Sequence, residues 1–139
     1  MMEIIAPYTW AIVALLAFVI ITLFVSAIVG ARKASAKLTA GGNPENNYDD
    51  GLYRLNRAHQ NAVENAALIA IALAAAIATG VSPWWTNLLL GLFLLFRVLH
   101  TLFLIQNMGK EVQGLRTFAY VASWACNLVL AIMAVVAIL

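Results

Sequence analysis

A chain of 139 residues that is 64% hydrophobic and only 10% charged does not have the make-up of a soluble domain, which is about half apolar and a quarter charged. Its formal net charge of +2 is too small to argue for a nucleic-acid partner. The single cysteine, Cys126, excludes an intramolecular disulfide and a cysteine-based metal site, and the length allows one domain over 1–139.

The first apolar stretch, Ile4–Ala31, contains no charged residue and exceeds the roughly 20 residues that cross a bilayer. It opens Met1-Met2-Glu3, without a basic leader, and is longer than the about 7–15 apolar residues of a signal peptide. It therefore reads as a retained helix over 4–31. Its hydroxyls, Thr9, Thr22 and Ser26, can bond their own backbone. Arg32, Lys33 and Lys37 mark the exit, and LTAGGNPENNYDDG is a loop by its glycines, proline, asparagines and aspartates. Asp49 or Asp50 is placed to cap the next helix.

That second helix is predicted over 51–78. Gly80-Val81-Ser82-Pro83 breaks the charge-free run Asn65–Phe96 as turn residues do, so the second and third helices are antiparallel neighbours. Trp84 and Trp85 follow, where an interfacial aromatic belt is expected. The third helix runs over 84–107, Asn107-Met108-Gly109-Lys110-Glu111 is the next polar break, and the fourth helix covers 112–138 with Cys126 as a small buried hydrophobe. The pattern predicts an all-α membrane protein, a bundle of four transmembrane helices. Arg32, Lys33, Lys37, Arg54 and Arg57 lie about the first connection and Lys110 and Arg116 about the third, while the second carries no charge. The excess of positive charge places both basic loops in the cytoplasm and both termini outside.

Three polar stripes run through the apolar background. On the second helix Arg54, Arg57, Asn61, Glu64 and Asn65 fall within an arc of roughly 100°. On the third, Arg97, His100 and Asn107 share a face; on the fourth, Arg116, Tyr120, Ser123 and Asn127 do. Guanidiniums and carboxylates are not placed against hydrocarbon without a partner, water or a ligand. Each stripe also has a plain structural account. Arg54 and Arg57 can snorkel to the interface, Glu64 and Arg97 can form a buried ion pair, and Ser123 and Asn127 can hydrogen-bond between helices. His59, roughly 200° round the wheel from Arg57, points to a structural contact. The structural account leaves unexplained why three stripes meet at one membrane depth.

The segment Arg57-Ala58-His59-Gln60-Asn61-Ala62-Val63-Glu64-Asn65 resembles the R-A-x-x-N-x-x-E signature of the MAPEG family, the membrane-associated proteins of eicosanoid and glutathione metabolism. Asn43-Pro44-Glu45 is similar to the loop before that signature. Arg97-Val98-Leu99-His100-Thr101 is similar to the family's third-helix segment, and Leu115-Arg116-Thr117 with Tyr120 to its fourth-helix entry. The likeness covers nearly the whole chain, in order, and is closest to microsomal glutathione transferase-like members of bacterial type.

The resemblance implies a homotrimer with glutathione as co-substrate, bound between protomers near the cytoplasmic face, and no metal. It assigns Arg57, Asn61, Glu64, His100 and Arg116 to glutathione, with Arg32 or Lys33 adding a cation. It makes Arg116 the residue that stabilises the thiolate, beside Thr117 and Tyr120. The chemistry of the tripeptide suits these roles: two carboxylates call for bidentate cations, one ammonium calls for an acid, and a nearby guanidinium favours thiolate over thiol. The chain departs from the family pattern at Leu104, where many members carry a tyrosine, at Gln60, where some carry an arginine, and in the longer interval IQNMGKEVQG. The expected activity is conjugation of a lipophilic electrophile, or reduction of a lipid hydroperoxide, delivered through the membrane lipids. The alternative is a non-catalytic lipid-binding or scaffold member of the same fold. A channel would need polar residues along the full membrane depth, which the apolar outer halves of the second and third helices do not supply.

Overall fold

Four long helices follow one another, with a short connection only between the second and third (79–82), as the hydropathy pattern requires. In the computed structural model, which describes residues 2–39, 41–109 and 114–139 without the Met2 side chain, they are preceded by a short α1 (Met2–Ile5) and a 3₁₀ turn (Ala6–Tyr8). The long helices are α2 (Thr9–Ser35), α3 (Gly51–Ala78), α4 (Pro83–Ile105) and α5 (Leu115–Val136). Each is long and apolar enough to cross a membrane, and at ~1.5 Å per residue each exceeds the ~30 Å of a hydrocarbon core.

The ends of these helices follow from local chemistry. Asp50 caps α3 by accepting the Leu52 N–H at 2.9 Å. Gly80 ends it at φ 71°, and the Val81 N–H reaches back to the Ala76 carbonyl at 2.9 Å, the paired reversal in which a left-handed residue lets the chain satisfy the last carbonyls. The same reversal ends α2 at Lys37 (φ 56°) and α4 at Asn107 (φ 60°). Leu38 N–H bonds the Lys33 carbonyl, and Met108 N–H bonds that of Phe103. α2 thus outlasts its apolar stretch by one turn, with Arg32 and Lys33 near its negative end. α4 stops two residues short of the predicted limit because Asn107 has already turned. The predicted fourth-helix start at Val112, and the charge at Lys110, lie outside the described residues.

The core is built from small and large residues in alternation. Ala11, Ala14 and Phe18 of α2 meet Ala62, Ile69 and Ala76 of α3, Leu90 and Phe93 of α4, and Leu130 and Ala134 of α5. Alanines let the helices approach closely where the membrane offers no hydrophobic drive to pack. Phe18 and Phe93 meet edge to face at 5.2 Å. Large apolar side chains such as Leu16, Phe24, Ile71, Leu95 and Ile132 stay on the outside, where lipid replaces water.

One end of the bundle is clasped shut. The Tyr8 hydroxyl donates to the Val81 carbonyl at 2.6 Å. Asn87 accepts the Ala11 N–H at 2.8 Å and donates to the Pro7 carbonyl at 2.9 Å. Its amide stands in for the hydrogen bond that the 3₁₀ turn removes from the helix ladder. The polar loops, the N-terminal half of α3 and the first turn of α5 gather at the opposite end.

Candidate functional site

Four arginines, two on α3 and one each on α4 and α5, serve that polar end, and each is held differently. Arg54, in the first turn of α3, serves the backbone. Its Nη1 donates to the carbonyls of Tyr48 and Asp49 at 2.8 and 2.9 Å, and its Nε to the Ile105 carbonyl at 3.2 Å. It ties the α2–α3 loop to the C-terminus of α4, where orphan carbonyls and the helix dipole both favour a cation. It therefore does not simply snorkel.

The arc of α3 divides at this point. Its inner edge turns towards α4 and α5: Asn65 is buried and bonds the Asn61 carbonyl at 2.8 Å, and Asn61 Oδ1 accepts from Arg97 Nη1 at 2.6 Å. The outer edge stays open. Arg57, His59, Gln60, Val63 and Glu64 line a shallow cavity of about 350 Å³ on the protomer surface. Arg57 Nη1 donates to Gln60 Oε1 at 3.0 Å, and Gln60 in turn donates to Asn43 Oδ1 at 3.3 Å. In place of the ion pair that Glu64 and Arg97 could form, Arg97 hydrogen-bonds Asn61. Glu64 points outwards and is exposed, near enough to Arg97 to act on it only through space. The helical wheel separates Asn61 from Glu64 by about 60°, with Asn61 on the side of buried Asn65, and that rotation decides which of the two side chains meets Arg97.

Arg97 is 2% exposed and is the hub of the interior cluster. Its guanidinium lies 5.1 Å from the centre of the Tyr120 ring and 5.6 Å from that of Phe93, within cation–π range. Its Nε and Nη2 are buried with no hydrogen-bond partner among the described residues. His100 stands 5.6 Å from Tyr120, ring centre to ring centre, and its Nδ1 lies 3.0 Å from the Arg116 carbonyl. A carbonyl only accepts, so Nδ1 carries a proton. Leu104, a departure from the family pattern, is buried beneath this group.

Arg116 enters from the first turn of α5. Its Nη2 donates to the Met108 carbonyl at 3.3 Å and, at 3.5 Å, weakly to Asn107 Oδ1. Its guanidinium lies 5.6 Å from the Tyr48 ring centre. Gly109 makes this approach possible: at φ 62°, a Cβ there would lie 2.9 Å from the Leu115 nitrogen and 3.0 Å from that of Arg116.

The structure thus brings Asn61, His100, Arg116 and Tyr120 into one connected set with Arg97, and sets Arg57 and Glu64 beside it on the open face of α3. Thr117, one residue beyond Arg116, is exposed. Arg32 is also exposed and Lys33 half-buried at the end of α2. Lys33 lies close enough to His59 for their charges to interact. Ser123 does not bridge helices as expected; its hydroxyl donates to the Tyr120 carbonyl of its own helix at 2.7 Å, the local bond always within reach of a helical serine. Asn127 instead faces a groove of about 400 Å³ between α3 and α5, lined by Leu68, Ile71, Trp124, Leu128 and Val135 among others. Tyr48 and Asn43 were not legible as site residues, because only the return of the α2–α3 loop over the bundle places them there. Among the described residues no three His, Cys, Asp or Glu side chains gather as a metal site would require.

The model of the MAPEG family matches residues 11–136. The chain belongs to the MAPEG family. It is an integral, multi-pass member with the family's four-helix membrane bundle, and MAPEG proteins use glutathione. Membership carries with it a function of the glutathione-transferase or eicosanoid-metabolism kind. No match is found among curated proteins. In this MAPEG protein the signature segment Arg57–Asn65 spans both edges of the α3 arc, so a single motif supplies the interior hydrogen bond and the open face.

Proposed function

We propose that this MAPEG protein is a glutathione-dependent membrane transferase that also has the means to reduce lipid hydroperoxides. The observation that carries the reading is Arg116, a half-buried guanidinium on the first turn of α5, held by loop acceptors on one side. Its Nε is buried and makes no hydrogen bond to the described residues. Such a cation is available to an anion that displaces its weak loop contacts. Bound thiol would lose its proton more readily beside it, because the thiolate is the form that the charge favours.

In this reading Arg57 takes a carboxylate of glutathione, Glu64 takes its ammonium, and Asn61 and His100 hold the peptide. Thr117 and Tyr120 flank the sulfur, and Arg32 or Lys33 supplies a further cation. Glu64 and Arg57 lie on the outer surface of the protomer, which fits a homotrimer whose neighbour completes the site, on the cytoplasmic side with both termini opposite. The thiolate attacks a lipophilic electrophile that arrives through the bilayer, forming a carbon–sulfur bond as the leaving group departs. With a hydroperoxide, the thiolate sulfur takes the terminal hydroxyl as the O–O bond breaks, the leaving alkoxide takes a proton from water and departs as alcohol, and a second glutathione thiol converts the sulfenic acid to disulfide and water.

The α3–α5 groove favours a second reading in which lipid is bound without chemistry, since a hydrocarbon chain fits its apolar walls. Turnover separates the two. With a reactive aryl halide at neutral pH, Arg116→Ala should abolish most conjugation and recover in part as pH rises, and Arg116→Lys should keep an intermediate rate because a point charge still favours thiolate. No turnover by the unaltered protein, together with saturable lipid binding, would leave the non-catalytic reading in its place.

A further inference from the structure

A buried guanidinium with two nitrogens unpartnered among the described residues is an expensive way to fill a core position, since taking a charge out of water without full compensation costs several kcal/mol. Arg97 is held in place nonetheless. It is 2% exposed, its guanidinium is flanked by the Phe93 and Tyr120 rings, and its one short hydrogen bond is the 2.6 Å contact with Asn61. A role in stability alone does not account for that arrangement.

The bond carries directional information. Guanidinium nitrogens only donate, so the atom of Asn61 facing Arg97 is the oxygen, whichever way an isolated amide would sit. The Nδ2 of Asn61 is then turned away from Arg97. Asn61 is half-buried, one turn along α3 from Arg57 and one short of Glu64 and Asn65, at the border between the interior cluster and the open cavity. We propose that Arg97 is a positioning residue: by occupying the oxygen of Asn61 it commits the NH₂ group to an acceptor oxygen on the bound peptide. Without Arg97 the amide is free to flip, and half of its orientations present oxygen to oxygen. The inference rests on glutathione as the ligand, and it adds the polarity of one contact and the residue that sets it.

Asn61→Asp tests this in both directions. The carboxylate has nearly the same shape, keeps an acceptor for Arg97 and turns the contact into a charge-assisted pair, but it has no NH₂ to offer. Purified full-length protein should therefore melt at the same or a higher temperature without ligand, while its affinity for glutathione falls at least about tenfold. Glutathione dimethyl ester, whose carboxylates are masked, should show a comparable loss, which separates a missing donor from charge repulsion. Arg97→Met should weaken glutathione binding as well, with Arg97→Lys between it and the unaltered protein. Unchanged affinity in Asn61→Asp would overturn the proposal, as would a lowered melting temperature without ligand, because Asn61 would then not be the partner of Arg97. Unaltered protein that binds no glutathione, with Asn61→Asp still as stable or more so, would instead sink the proposed function and leave the Arg97–Asn61 pair standing.

Discussion

Gly109 shows how one backbone position governs the side chain proposed to stabilise the thiolate. Its φ of 62° and the 2.9 Å clearance that a Cβ would have to the Leu115 nitrogen mean that only glycine lets the chain turn back over the start of α5. Gly109→Ala should lower stability by about 1–3 kcal/mol and weaken glutathione binding, because the Arg116 side chain is held by Asn107 and Met108 of that turn. Thermal unfolding with and without glutathione measures both effects, and a melting temperature equal to that of the unaltered protein would show that the turn relaxes freely. Arg54 belongs to the same scale. Its charge and depth were legible in the sequence, but its partners are carbonyls of Tyr48, Asp49 and Ile105, which hydropathy and periodicity do not encode. Arg54→Met should leave the helices intact and speed proteolysis between residues 36 and 50; an unchanged cleavage rate would mean that the loop is held by other contacts.

At the scale of helices, the periodicity of α3 identified a polar arc of about 100° but not its division. Whether a residue on that arc meets Arg97 or solvent depends on where α4 packs, and a helical wheel contains no neighbours. That is why the sequence left a Glu64–Arg97 pair open as a structural alternative, whereas Asn61 is the partner of Arg97. Helix ends show the same contrast. Gly80 announces its reversal through residue type, whereas Lys37 and Asn107 adopt left-handed backbone that their identities favour weakly or not at all. The clasp made by Tyr8 and Asn87 was invisible for a related reason, since it joins residues more than seventy positions apart. Asn87→Leu removes both of its hydrogen bonds at the end opposite the site. It should cost about 1–3 kcal/mol through the unpaired backbone groups and leave glutathione affinity unchanged, as paired melting and binding curves would show. A loss of affinity equal to that of a site variant would indicate that the two ends are coupled.

For the whole molecule, four spans and their order follow from composition and turn residues alone, because a bilayer forces every backbone group to be satisfied within a helix. The distribution of charge proposes a direction: by the positive-inside rule the basic loops are expected in the cytoplasm and the Gly80–Pro83 turn outside. With Cys126 replaced by alanine, a cysteine at Ser82 should react with a membrane-impermeant thiol reagent added from outside, and one at Thr39 should not; the reverse pattern would invert the topology and move the site with it. The central claim is that this bundle binds glutathione and holds it as thiolate through Arg116. The most direct measurement is the ultraviolet difference absorbance of thiolate as glutathione is titrated into purified protein at neutral pH. The account predicts a saturable thiolate signal that Arg116→Ala removes and raised pH restores, each unit of thiol pKa corresponding to about 1.4 kcal/mol. Saturable binding without any thiolate signal, indifferent to Arg116, would contradict it.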